Sequence, residues 1–225
     1  MPHSSTPFAW TIATPPLFRY LPEEFVSVFM QSGAIRLSTF AKFRRHTDEQ
    51  RLDLDEGKST FLHRTKKNGG QSVVARLNHG MNAYVLSTTM RHSPQLMSEF
   101  GCDSFFRIND STAFGISIAK KLEGVVGGLE GQCIYQTSKV IERDLGFLEL
   151  PPPVDQPDWK VDRAAISTLA LQQASHFPLL MKHSFYQLQF EYRLVWIMRD
   201  EIGEHIDIEV PEAIGYCSGP NLFAP

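Results

Sequence analysis

Tyr186-Gln187-Leu188-Gln189-Phe190-Glu191-Tyr192-Arg193-Leu194-Val195-Trp196 alternates apolar and polar residues over its first eight positions before turning apolar at Val195, which is the pattern of a strand with two unlike faces. It predicts one strand over 186–196, with Tyr186, Leu188, Phe190, Tyr192, Leu194 and Trp196 on the core face. Gln187, Gln189, Glu191 and Arg193 fall on the other face. Two readings of that polar row stand side by side. A half-solvated strand shows polar-out alternation as a matter of course. A carboxylate on a strand anchored by large aromatics also needs partners or a ligand. Gln187 and Arg193 read as solvated or bonded to neighbouring strands, and Gln189 with Glu191 is the pair singled out.

Working outward, Leu17 to Tyr20 reads as a short strand. Pro22 to Gly33 follows as a helix with early acids and a closing glycine, and Ala34 to Thr39 as a second strand. Residues 42–70 are dense in charge (Arg44, Arg45, Arg51, Asp53, Asp55, Glu56) and read as an exposed insertion. Gln71 to Leu77 and Ala83 to Thr89 read as a hairpin around Asn78 to Met81. Ser93-Pro94 opens a helix that Gly101 closes. Asp103 to Ile108 is a strand, and Asn109 or Asp110 caps a helix running to about Glu123. The glycine-rich run Gly124 to Gly131 lacks the Lys-Ser/Thr of a phosphate loop and reads as a flexible turn, with a strand from Gly131 to Thr137. Pro151 to Asp158 is a rigid loop and Trp159 to Ala174 an amphipathic helix. His205 to Val210 completes a C-terminal hairpin, with one more strand near Ile214 to Cys217. This order implies an α+β fold in a single domain, 1–225, with the insertion at about 42–70.

The 225 residues carry a formal charge of −3, which excludes nucleic-acid wrapping by bulk basicity. Cys102, Cys133 and Cys217 are widely spaced and fit buried thiols of a reducing cytoplasm. The start, Met1-Pro2-His3, lacks a signal pattern, and no apolar run approaches the ~18 residues of a membrane helix, so a cytoplasmic protein without membrane contact is expected. His63, His79, His92, His176 and His183 show no ligand spacing, so no metal site is expected. Cys102 carries no mark of a nucleophile.

Two further positions draw attention. Arg19 interrupts an apolar strand, and Arg suits a bidentate grip on phosphate, although a buried ion pair explains it equally. Ser87-Thr88-Thr89 ends a strand, where hydroxyl residues serve as β-formers or backbone-bonders as readily as ligands.

Taken together, Arg19, Ser87-Thr88-Thr89 and Gln189-x-Glu191 resemble the Arg…Ser-Thr-Ser…Gln/Glu-x-Glu pattern of the arginine-serine-glutamate class of ADP-ribosyltransferases, with Thr89 in place of the last Ser and long separations that imply insertions. The chain also resembles the bacterial family catalogued as domain of unknown function 2971. That likeness runs through Leu17-Phe18-Arg19-Tyr20, Ile35 to Phe43, Val85-Leu86-Ser87-Thr88 and Lys182 to Arg193. The Phe-Asn-Asp-Pro common in that family is missing after the second strand, which marks a divergent branch. The family itself supplies no reaction.

The first resemblance implies ADP-ribosyltransferase-like split antiparallel or mixed sheets flanked by a few helices. It also implies NAD as substrate, without a metal. Glu191 would stabilise the positive charge that develops on the ribose as the nicotinamide bond breaks. Ser87 would orient Glu191 or the ribose, and Gln189 would position the acceptor. Arg19, Tyr20 and Thr88 would bind the cofactor, Arg19 through its pyrophosphate and Tyr20 by stacking, unless Tyr20 is core. The implied partners are NAD, an unidentified protein or nucleic-acid acceptor, and a neutralising partner protein if the chain is a toxin or antiphage defence effector. The alternative is a catalytically silent binding module of the same scaffold.

Overall fold

The structure, a computed structural model, describes residues 15–44, 56–64, 72–143 and 177–220. In chain order these form β1 (Leu17–Leu21), α1 (Glu23–Ser32), β2 (Ala34–Thr39), α2 (Phe40–Phe43), β3 (Lys58–Arg64), β4 (Ser72–Asn78) and β5 (Ala83–Thr89). Next come α3 (Pro94–Glu99), β6 (Ser104–Ile108), α4 (Ser111–Ala119), β7 (Val125–Gln132), β8 (Ile134–Gln136) and β9 (Val140–Arg143). Then follow α5 (Phe177–Leu180), β10 (Met181–His183), a 3-10 turn (Ser184–Gln189), β11 (Glu191–Met198), β12 (His205–Glu209), α6 (Pro211–Ile214) and β13 (Cys217–Ser218). The architecture is mixed α+β: a mostly antiparallel curled sheet of eight strands, two small sheets (β10-β8 and β4-β3-β9) and a few short helices.

Local chemistry sets several boundaries where the sequence puts them. α1 begins after Pro22 with Glu23 and Glu24 in its first turn, where the helix dipole favours acids. It ends at Gly33, whose φ of 75° is left-handed. A Cβ there would lie 2.4 Å from the Val210 carbonyl carbon, so glycine is required twice over. Ser93 caps α3 by accepting from the Leu96 N–H at 3.2 Å, and Asp110 caps α4 by accepting from the Ala113 N–H at 2.9 Å.

Pairing departs from expectation. β4 pairs with β3, and β5 with β11, β2 and β1, so the hairpin expected around Asn78 to Met81 does not form. β12 pairs with β2 instead of completing a hairpin with β11. The glycine-rich run is not a turn: β7 pairs with β11 from Val125 to Gln132, because a ladder needs backbone groups and not side chains. The expected insertion contains β3, and Glu56 at its edge is buried. The loop at 151–158, the helix at 159–174, and Arg45, Arg51, Asp53 and Asp55 lie outside the described residues.

The opening stretch also divides. Only Glu191 to Met198 is strand; Ser184 to Gln189 is a 3-10 turn, and Phe190 joins them at φ 47° with Arg91 stacked over its ring. Alternation over so few residues does not separate a strand from a tight turn. Phe185 and Leu188 are 74% and 73% exposed as a result.

One sheet face packs on α1, α4 and α6 through Leu17, Phe29, Phe106, Phe114, Leu194 and Trp196. Burial of each such side chain contributes about 1.5–3 kcal/mol, which fixes the strands that carry the site. The opposite face bears two smaller clusters, Phe18–Tyr20–Phe105 beside α3 and Phe40–Val85–Leu179–Val195 beside α2 and α5.

Between those two clusters the sheet splits. β11 pairs with β5 along its whole length, from Ala83 to Thr89. The other edge of β5 is shared: β2 pairs at Tyr84 and Val85, β1 at Thr89, and no strand register covers Leu86 to Thr88. Both β1 and β2 run antiparallel to β5 and therefore parallel to each other, joined by α1 across the gap.

Candidate functional site

Arg19 stands one residue beyond Phe18, the β1 residue paired with β5, so its side chain enters the split. Its Nη1 donates to the Ser87 carbonyl at 2.6 Å, supplying a donor on an edge where the ladder has none. The Ser87 hydroxyl donates at 2.8 Å to Glu191 Oε1 on the neighbouring strand, as the register Arg193 opposite Ser87 allows. A cavity of about 730 Å³ runs through the split, and Arg19, Ser87, Gln189 and Glu191 all line it.

Glu191 is 4% exposed and its carboxylate is fully engaged. Oε1 also accepts from Arg193 Nε at 2.7 Å, and Oε2 accepts from Lys182 Nζ. Lys182 donates at 2.8 Å to Gln189 Oε1 as well, so one ammonium grips both members of the Gln-x-Glu pair. Beyond Arg193 the chain of charge continues to Glu56, 2.7 Å from Arg193 Nη1, while the same nitrogen donates to the Leu179 carbonyl at 2.8 Å. Lys182, Glu191, Arg193 and Glu56 thus alternate in sign, all buried. Alternation is what makes such burial tolerable, because an isolated ion would lose far more solvation than it gains.

The titration behaviour follows. Burial alone raises the pKa of Glu191, but Arg193 and Lys182 outweigh it and hold the carboxyl well below its ordinary value. Burial alone lowers that of Arg193, yet neighbouring negative charge, Glu191 and Glu56 included, keeps it well above the ordinary value. The backbone of Glu191 is also fixed: its N–H donates to the Tyr135 hydroxyl at 2.8 Å, and its carbonyl accepts from the Cys133 N–H at 2.9 Å.

All six expected site residues, Arg19, Tyr20, Ser87, Thr88, Gln189 and Glu191, line the cavity, and Arg19, Ser87, Gln189 and Glu191 come together in one hydrogen-bonded cluster. Gln189 does so from the end of the 3-10 turn, and the left-handed Phe190 lets it and Glu191 reach the same lysine. Thr88 lines the cavity from the opposite sheet face to Ser87, with its hydroxyl donating to the Tyr192 carbonyl at 2.8 Å. Tyr20 borders the cavity as a buried residue: its ring packs on Phe105 and Phe100, its hydroxyl donates to the Arg91 carbonyl at 2.9 Å, and it accepts from the Ser93 N–H at 2.7 Å. Arg193 is not solvated but 2% exposed at the centre of the charge chain.

Glu56 escaped sequence reading because it sits within a charge run, and only its burial reveals it. Lys182 was visible as part of the Lys182 to Arg193 likeness, without a role. Cys102, Cys133 and Cys217 are free thiols, and among the described residues no group of three or more His, Cys, Asp or Glu is placed to hold a metal. Among them, too, no helix is long and apolar enough to cross a membrane. No family model, no curated protein and no solved structure matches the chain.

Proposed function

We propose that the protein is an NAD-dependent ADP-ribosyltransferase, a divergent relative of the domain of unknown function 2971 family with an ADP-ribosyltransferase-like split sheet. It transfers ADP-ribose to a macromolecular acceptor, or to water. The observation that carries this reading is the convergence of Arg19, Ser87 and Glu191 on one cavity at the split, linked by hydrogen bonds of 2.6 and 2.8 Å.

In this reading Arg19 holds the pyrophosphate, for which a guanidinium is the fitting donor. Glu191 accepts a hydrogen bond from a ribose hydroxyl and lies beside the carbon that becomes cationic. The ribose C1′–nicotinamide nitrogen bond breaks, and nicotinamide leaves neutral with the bonding pair. The acceptor's nucleophile bonds C1′ and releases its proton to solvent; with water in that place the outcome is NAD hydrolysis. Arg193 and Lys182 keep Glu191 ionised, Ser87 orients it, and Gln189 faces the acceptor. A toxin or defence effector acting in the bacterial cytoplasm, held in check by a neutralising partner, suits such an activity.

A second reading, the silent binding module, is favoured by the saturation of Glu191: Ser87, Arg193 and Lys182 occupy both carboxylate oxygens before any substrate arrives. Incubation with labelled NAD and candidate acceptors, comparing the wild type with Glu191→Ala, separates the two. Turnover in the wild type and its loss in the variant supports the transferase. Bound but uncleaved NAD in both, with every acceptor, selects the binding module.

A further inference from the structure

The cavity changes character along its length. At one end stand the buried charges of Lys182, Glu191 and Arg193, on the sheet face that carries Phe40 and Leu179. Arg19 occupies the split. On the face covered by α1, Phe25, Val28 and Phe29 with Ile35 give it an apolar wall, while Arg36, Asp207 and Glu209 line it from the β2–β12 edge.

α1 explains why this wall is available. Val26 and Phe29 are its buried residues, as the core demands. Phe25 and Val28 are three positions apart, so they share a face, yet they are 54% and 48% exposed. A helix built only to cover the sheet has no use for an exposed Phe in its first turn. Glu24 and Gln31, four before and three after Val28, border the apolar pair on its solvent side, and Phe25 and Val28 both line the cavity.

The sequence of chemistries through the split is therefore carboxylate, guanidinium, aromatic wall. A dinucleotide presents its parts in the matching order: reacting ribose, pyrophosphate, second nucleoside. Arg19 reaches from β1 to the Ser87 carbonyl of β5, beside the Ser87–Glu191 hydrogen bond, and strand alternation puts Arg19 on the Leu17 face that α1 covers, so the guanidinium stands between the carboxylate and the α1 wall. We infer that Phe25 and Val28 form the purine subsite, with the adenine ring lying on the Phe25 ring and the Val28 side chain closing one edge. This deepens the NAD reading and rests on it for the order of the parts. Base–aromatic stacking supplies sequence-tolerant affinity, and the ring that provides it here is set on a helix and not on a loop.

The test uses the full chain and calorimetric titration of NAD, AMP and nicotinamide mononucleotide into the wild type, Phe25→Ala and Val28→Ala. Both side chains are half-exposed, so both variants should fold, and circular dichroism checks it. Phe25→Ala is expected to weaken AMP and NAD by about tenfold or more while leaving nicotinamide mononucleotide within about twofold, the scale set by base stacking. Val28→Ala should give a smaller loss with the same selectivity. Unchanged AMP and NAD binding in Phe25→Ala overturns the subsite while the NAD reading stands. Equal weakening of the nicotinamide half also overturns it. Phe25-dependent AMP binding with no NAD cleavage keeps the subsite and removes the transferase. Absence of binding by all three removes both.

Discussion

Replacing Arg193 with Met tests the charge chain directly. The guanidinium is 2% exposed and holds three acceptors: Glu191 at 2.7 Å, Glu56 at 2.7 Å and the Leu179 carbonyl at 2.8 Å. Methionine approximates the aliphatic stem, so the volume is largely kept while all three contacts, and the guanidinium's place 5.6 Å over the Phe40 ring, are lost. Glu56 is left buried without this cation, and Glu191 keeps Lys182 and Ser87. Breaking a buried pair in this way costs about 3–5 kcal/mol, a large share of the roughly 5–15 kcal/mol that holds a domain folded. In a chain of this size it should lower Tm by roughly 10 °C. Urea unfolding followed by tryptophan fluorescence reads the change. Because much of the loss comes from the stranded Glu56 charge, the double variant Arg193→Met/Glu56→Gln should recover about 1–3 kcal/mol relative to additivity. A single-variant loss under about 1 kcal/mol, or losses in the double that simply add, would show that the chain is not coupled and refute the reasoning.

Three more outcomes are expected. Glu191 has a folded pKa well below its ordinary 4.5, so its stabilisation is fully present above about pH 4.5 and is lost as pH falls toward the depressed value; Glu191→Gln should flatten that acid limb in a series of urea midpoints, and an unchanged limb would contradict it. Gly33→Ala combines a φ of 75° with a Cβ 2.4 Å from backbone, and should destabilise by at least 1–2 kcal/mol in chemical denaturation, where a neutral result would show that the β12–β2 edge yields. Burial pushes the Cys217 thiol up to about 12 and that of Cys133 well above its ordinary value, so both should resist a thiol reagent at pH 8 until the chain unfolds; rapid labelling of the native protein would count against that packing.

Much of the local structure was legible. β1, α1, β2, α3 and β6 lie where periodicity and caps put them, because those signals are made by residues a few positions apart. Strand partners are chosen by contacts distant in sequence, and there the reading failed: β4 follows β3, and β12 follows β2. The opening stretch shows the limit well. Its second half is strand, and its first half is a turn held by Lys182 on Gln189 and by His183, whose ring nitrogen accepts from the Phe185 N–H at 3.2 Å. Neither contact leaves a trace in alternation. For the site, residue type and order pointed to Arg19, Ser87, Gln189 and Glu191, whereas the role of Arg193 depends on a burial that no single charged position announces.

The split of the sheet has a further consequence. A strand edge with unmatched backbone groups is a template for another strand, and proteins usually shield such edges at the border of a sheet. Here the unmatched edge is internal, over Leu86 to Thr88. Arg19 occupies it with one guanidinium N–H on the Ser87 carbonyl, where a strand would bring a ladder of donors and acceptors. Substituting Arg19 would on this view alter more than ligand affinity: it would remove the wedge, and the slot would be free to close or to accept a foreign strand.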